Sequence, residues 1–163
     1  PARRPPGGAV TRQELMEQTS VRYKLPKPCR LRLKSLVDPL FAKGKSEYAY
    51  PLRLVWRAAG ADDMAHVLPR GSSVTVGKVQ LLVSIPKRKQ RRAVDRVLLR
   101  RRVRDAYRHL LPAFEARVSK RPDIATLSLA VVYISSEIES QAKISERLGK
   151  LFDALCSKLE LPQ

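Results

Sequence analysis

The densest chemistry in this sequence lies between Lys87 and Arg108. Eleven basic and two acidic residues occupy those 22 positions, a local charge of +9. Arg88, Arg92, Arg96, Arg100, Arg104 and Arg108 recur every four residues. Four residues are about one helical turn, so on a helix these guanidinium groups form a ridge that drifts slowly around the axis. Leu99, Val103, Ala106 and Leu110 fall at apolar spacing on another flank. The helix can thus bury one side and present the other. Like charges one turn apart repel by roughly 0.2–0.5 kcal/mol per pair, and Asp95 and Asp105 relieve only part of that. Phosphates relieve it far better, because each accepts charge-assisted, often bidentate hydrogen bonds from arginine.

Other residues that could do chemistry are sparse. His66 and His109 are the only histidines, and neither stands at an obvious spacing to a Ser, Cys or acid that would build a triad. Asp62-Asp63 lies in a turn-rich stretch and reads as solvated rather than as a metal pair. Cys29 and Cys156 are isolated, with no CxxC and no neighbouring histidine, so they read as reduced thiols and not as metal ligands. "KGKS" lacks the spacing of a phosphate loop. The sequence therefore offers no catalytic residue, no metal ligand set and no cofactor bound by the protein alone.

The whole chain has 163 residues and a formal charge of +18, with 44% hydrophobic residues. That is enough apolar material for one core, and a charge that calls for a polyanion. No apolar run is long enough to span a bilayer, and no secretory signal is visible. A membrane-surface helix would need large exposed apolar residues opposite the charge, whereas this apolar flank is small and wanted by a core. Nucleic acid is the favoured partner, a membrane is not expected, and the expected location is the cytoplasm. A DNA-reading helix would want a second helix just upstream across a tight turn, and none is visible.

These residues need a scaffold. Residues 1–21, beginning "PARRPPGGAV", read as a flexible basic tail. Residues 22–160 read as a single domain. Leu33, Leu36, Val37, Leu40 and Phe41 mark a helix that restarts at Pro39 and closes at Gly44. "EYAYPLRLVWRA" alternates as one strand, with Tyr48, Tyr50, Leu52, Leu54 and Trp56 on one face, which would place both tyrosines in the core. "AGADDMAHVLPRGSS" reads as a polar loop. "VTVGKVQLLVSIP" is a second β segment, bulged or split at Gly77, with Val79, Leu81, Val83 and Ile85 inward. The basic helix runs from about Arg92 to Leu111, ended or kinked by Pro112. "PDIATLSLAVVYIS" reads as a central strand covered on both faces. A final amphipathic helix, about Ser140 to Leu159, carries Ile144, Leu148, Leu151, Leu155 and Leu159. The fold class is α+β, a two-layer α/β sandwich in the order helix-strand-strand-strand-helix-strand-helix.

From about Tyr23 to Leu159 the sequence resembles the protein component of bacterial ribonuclease P. The marker is the basic stretch: Lys87-Arg88, Ala93-Val94, Arg96-Val97-Leu98, Leu99, Arg100-Arg101-Arg102, Val103, Arg104, Asp105, Ala106. Upstream, "LVDPLFAKGKS" resembles the family's first helix and the turn after it, with Phe41, Gly44 and Ser46 matching. The resemblance implies a sandwich with a left-handed strand-helix-strand crossover. It implies a protein subunit, a monomer when free, that supplies no catalytic acid or base. Its partner would be a catalytic RNA that removes the 5′ leader of precursor tRNA by metal-assisted hydrolysis, with Mg2+ held in the ribonucleoprotein. Arg96, Arg100, Arg101 and Arg104 would contact the catalytic RNA, with Lys87, Arg88, Lys89, Arg92 and Arg108 on peripheral phosphates. Phe41, Ser46 and Arg53 would line a cleft for the single-stranded leader. The alternative is a structural, ribosomal-type RNA-binding protein, which explains the charge equally well.

The sequence also departs from the family pattern. Val97 and Leu98 stand in place of the Asn and second Arg of its Arg-Asn-Arg triplet. Val37 replaces an aromatic one turn before Phe41, and Val55 a strand aromatic. The connection before Ala93, the 58–73 stretch and the tail are longer than the family's. The backbone-binding arginines persist while polar and stacking contacts are thinned.

Overall fold

The computed structural model describes residues 25–68 and 70–161, so the tail lies outside the described residues. After a 3-10 turn at Lys27–Cys29 come helix α1 (Lys34–Lys43), strands β1 (Lys45–Ala49) and β2 (Leu52–Ala59), helix α2 (Ala61–Val67), strand β3 (Val79–Ser84), helix α3 (Ala93–Ser119), strand β4 (Thr126–Tyr133) and helix α4 (Gln141–Lys158). The four strands form one sheet in the order β1-β2-β4-β3. β1 and β2 are antiparallel, as are β2 and β4, while β3 and β4 are parallel neighbours joined through α3. β4 is central and almost wholly buried, as its continuous apolar run predicts.

The main core lies between one sheet face and helices α3 and α4. Leu52, Leu54 and Trp56 of β2, Val79, Leu81 and Val83 of β3, and Leu127, Leu129, Val131 and Tyr133 of β4 meet Leu99, Val103, Tyr107 and Phe114 of α3 and Ile144, Leu148, Phe152 and Leu155 of α4. Phe152 seals the helix pair: its ring lies 4.8 Å from Phe114, edge to face, and 5.7 Å from Tyr107. Ser140 caps α4 by accepting from the Lys143 backbone N–H at 3.3 Å. On the opposite sheet face Leu36 and Leu40 of α1, with Leu31, cover Val55 and Ala130, and Met64 and Val67 of α2 pack beside them.

Four local expectations are corrected. The three strands before the basic helix are present, but the first β segment is the one that divides. Ala49 pairs with Leu52, so Tyr50-Pro51 is a two-residue turn with a cis peptide, and what reads as one strand is the β1-β2 hairpin. Tyr48 and Tyr50 then leave the core: Tyr48 is 66% exposed and Tyr50 55%. Gly77 does not split a strand. It crosses the 3-10 turn, donating its N–H to the Pro28 carbonyl at 2.9 Å, and a Cβ there would sit 2.8 Å from that oxygen. The polar stretch after β2 is not all loop. Ala61–Val67 within it form α2, because Asp62 and Asp63 suit the positive end of a helix, and Asp63 Oδ2 accepts from the Gly60 N–H at 3.3 Å.

Neither proline sets a helix boundary. α1 begins at Lys34 and passes through Pro39; only the carbonyl of the exposed Ser35 is left without its helical donor, and water can serve it. α3 runs on past Pro112 to Ser119, a helix of roughly 40 Å. An interior proline costs about 3 kcal/mol. The turns beyond it bury Phe114 and Val118, each contributing ~1.5–3 kcal/mol, which offsets that cost.

Gly44 closes α1 as expected, for a different reason than a left-handed cap. Its φ is −68°, accessible to any residue, but an added Cβ would lie 2.1 Å from the Leu40 carbonyl oxygen and 2.9 Å from Val55 Cγ1. Gly44→Ala is therefore expected to destabilise the protein by ~1–3 kcal/mol through overpacking. Urea unfolding checks this, and an unchanged midpoint would show that α1 can shift freely on the sheet.

Candidate nucleic-acid interface

α3 positions the arginines as its periodicity requires. Leu99, Val103, Ala106, Tyr107, Leu111, Phe114 and Val118 are buried against the sheet and α4. Arg101 and Arg104 are exposed, and Arg100, Arg102 and Arg108 half-buried. The ridge on the helix proper consists of Arg96, Arg100, Arg104 and Arg108. Arg92 is the residue preceding the first turn, and Arg88 lies with Lys87 and Lys89 in the turn before it. These last four extend the positive surface off the end of the helix rather than along its axis.

Few carboxylates oppose the ridge. Asp95 approaches Arg92 at 3.9 Å, and Asp105 accepts from Gln141 at 3.5 Å. Two arginines are partly spent inside the fold. Arg96 donates to the carbonyls of Gln90 and Arg91 at 2.9 and 2.7 Å, tying the 87–91 turn to the helix, and Arg102 donates to the Glu139 carbonyl. Arg104 is held below the usual arginine value, first by partial burial and then by the charges of Arg100, Arg30 and Arg108. Arg101, Arg102, Arg104 and Arg108 border an open groove of about 580 Å³ between α3 and the start of α4. With four guanidinium groups and one carboxylate, Asp105, at its border, this surface is strongly positive.

The second expected site gathers on the other sheet face. Ser46 pairs with Val55 and Tyr48 with Arg53 across the hairpin, so all four side chains face the α1 side. Arg53 donates to Ser46 Oγ at 3.0 Å, and its guanidinium lies 5.6 Å from the centre of the Tyr48 ring. Phe41, in the last turn of α1, is 48% exposed and is not part of the core. The fold thus brings Ser46 and Arg53 into contact and leaves Phe41 on the adjoining helix end. Sequence reasoning missed Tyr48 as a member; the Tyr-Pro dipeptide, a turn signal, is what could have revealed it. It also missed Arg30 and Arg32, which the fold sets beside Arg104 around a cleft of about 250 Å³.

Val97 and Leu98 have a visible effect. They are 51% and 36% exposed, and with Ala93 and Val94 they form an apolar depression beside Arg101. The first two turns of α3 therefore offer apolar contact where arginines and amides could have stood. His66 is exposed on α2 and His109 on the outer side of α3. The fold does not bring them into a catalytic group with each other, since they lie on elements covering opposite sheet faces.

Fold and surface together define a small, strongly basic α/β-sandwich protein that displays a cationic helix. The sequence pattern of the family described as Ribonuclease P matches residues 25–155. The ribonuclease P protein component of Porphyromonas gingivalis (strain W83) is 34% identical over 110 residues, spanning 68% of this chain and 72% of that protein. The ribonuclease P protein of Thermotoga maritima superposes with a TM-score of 0.51 at 19% identity, covering 77% of this chain and 96% of its own. A Staphylococcus aureus ribonuclease P protein mutant with defective mRNA degradation activity gives 0.53 at 13% identity, covering 92% and 96%. The chain belongs to the ribonuclease P protein family. Membership makes it a protein component of an endoribonuclease complex, with an RNA partner and a role in tRNA processing.

Proposed function

We propose that this chain binds the catalytic RNA of ribonuclease P through α3 and holds the 5′ leader of precursor tRNA in the cleft of Phe41, Ser46, Tyr48 and Arg53. The observation that carries this reading is the division of α3: one flank buried and apolar but for the Tyr107 hydroxyl, the other a ridge of guanidinium groups with almost no carboxylates against it. A helix of that kind gains most from a folded polyphosphate. Arg100, Arg101 and Arg104 make the central contacts. Lys87, Arg88, Lys89, Arg92 and Arg108 extend them, and Arg96 contributes while also bracing the turn.

Hydrolysis in this reading belongs to the RNA. Among the described residues no group of three or more His, Cys, Asp or Glu lies together. This reading assigns Mg2+ to the RNA and the substrate. The free chain is a monomer, since copies charged at +18 repel one another. It works in the cytoplasm, a setting suited to the free Cys29 and Cys156.

The test is reconstitution with a bacterial ribonuclease P RNA at low magnesium, with leader removal measured in the presence and absence of this protein. Stimulated cleavage and tighter binding of precursor than of mature tRNA are expected. Equal binding of the two would favour a ribosomal-type role instead. Phe41→Ala is expected to change stability by less than ~0.5 kcal/mol, as an exposed site should. It should weaken precursor binding by ~1–3 kcal/mol, the worth of one stacked base. Loss of folding in that variant would assign Phe41 to the scaffold.

A further inference from the structure

A cleft of about 420 Å³ lies outside both sites described above, between the 3-10 turn, the start of α1 and the chain leading to β3. Three cations border it, Lys27, Arg30 and Arg32, and no acidic residue does. Leu33 and Val74 supply apolar wall. At its edge sits Gln80, from the edge strand β3, only 3% exposed. Gln80 Nε2 donates to the Pro28 carbonyl at 3.1 Å. A carbonyl only accepts, so this hydrogen bond fixes the amide orientation and turns Oε1 away from it. Oε1 is buried and has no hydrogen-bond partner. A buried amide oxygen left unpaired costs ~1–3 kcal/mol, so it is an acceptor waiting for a donor.

The cleft also continues into the arginine surface. Arg30 and Arg32 border the neighbouring cleft that reaches Arg104, and Arg104 borders the groove along α3. A single positive track thus runs from α3 across the edge of β3 and ends at Gln80.

We propose that this cleft binds one nucleotide of an RNA strand that crosses from α3. Its phosphate would lie among Lys27, Arg30 and Arg32, its base against Leu33 and Val74, and a base N–H would donate to Gln80 Oε1. The volume falls within the roughly 300–1,000 Å³ of small-molecule sites. The inference rests on the RNA-binding reading for the source of its ligand. The same chemistry would suit a free mononucleotide, so the test separates the two sources.

The full chain is titrated with 5′-AMP, ribose 5-phosphate and hexaadenylate, followed by calorimetry and by the NMR signals of the Gln80 side-chain amide. AMP should move those signals and bind about tenfold more tightly than ribose 5-phosphate, one hydrogen bond being worth that factor. Gln80→Met should bring AMP down to the level of ribose 5-phosphate. If that variant does not fold, Arg32→Glu, at an exposed position, should remove AMP binding from a folded protein. Unchanged AMP binding in Arg32→Glu, or equal binding of AMP and ribose 5-phosphate, would overturn the proposal. Hexaadenylate should bind at least roughly tenfold more tightly than AMP, since phosphates on α3 add to the affinity. Arg104→Gln should weaken the hexamer and spare AMP; a hexamer indifferent to that change would leave a mononucleotide site and refute the strand. Hexaadenylate that binds without moving the Gln80 signals sinks this inference alone. Hexaadenylate that does not bind at all sinks the RNA-binding reading with it.

Discussion

Replacing Arg100 and Arg104 together by alanine will weaken assembly with the catalytic RNA by about a hundredfold at moderate salt, counting ~1.5 kcal/mol for each charge-assisted hydrogen bond removed. The more diagnostic result is the salt dependence. Each phosphate neutralised contributes ~0.7–0.9 to the slope of log K against log salt, so the double variant should flatten it by about 1.4–1.8. Folding should not suffer. The two guanidinium groups are one turn apart, and Arg104 already feels the repulsion of Arg100, Arg30 and Arg108. Removing them relieves roughly 0.2–0.5 kcal/mol per pair. Arg100 and Arg104 are better probes than Arg96, whose removal would also free the turn that it ties down at the Gln90 and Arg91 carbonyls. A filter-binding series over salt concentration reads the slope. An unaltered slope would remove α3 from the interface, whatever happened to affinity.

The second large effect separates the anchoring flank from the one proposed to face RNA. Leu99 lies on the buried flank of α3, with no exposed surface. Leu99→Ala should lower folding stability by ~2–5 kcal/mol, the transfer term plus the cavity left behind. Since the substitution removes no guanidinium, the salt slope of the remaining folded protein should match the wild type. Thermal denaturation and the same filter-binding series measure the two quantities independently. A Leu99→Ala protein of normal stability would mean that α3 is not held on the sheet as described. The expected drop in stability with a flattened slope would mean that the ridge depends on the exact seating of the helix.

The interface needs a rigid backing, and the fold explains where it comes from. A cationic helix free in solution would fray under its own charge. Here the stripe from Leu99 to Val118 is pressed on the sheet by α4, through Phe152 between Tyr107 and Phe114. The long helix therefore holds its arginines at fixed spacing before any RNA arrives, which lowers the entropy cost of binding. The same logic applies less strongly to the hairpin site, where Arg53 is held by Ser46 and the Tyr48 ring while Phe41 stands on a separate helix.

Much of this was legible in the residues themselves. The four-residue recurrence of arginine and the apolar flank at Leu99, Val103 and Ala106 define α3 and its two sides, because helical periodicity acts locally. The uninterrupted apolar run of β4 and the stripe of α4 are legible for the same reason. The prolines misled, because Pro39 and Pro112 have local costs that only the burial of Leu40 in one case, and of Phe114 and Val118 in the other, outweighs. The hairpin misled because alternation looks alike on either side of a two-residue turn, and only the pairing of Ala49 with Leu52 separates the strands.

The sequence alone determined the charge, its helical spacing and the succession of basic helix, central strand and final helix, since each follows from neighbours within a few turns of chain. Only the tertiary structure decided which basic residues share a surface. Arg30 lies some seventy positions before Arg104 in the chain, yet the strip bridging to Leu81 on the sheet edge carries it to the same face. Gln80 has no local signature at all. Its unpaired oxygen exists only because folding seats the amide against Pro28, on a side chain that borders a cleft built by distant segments together.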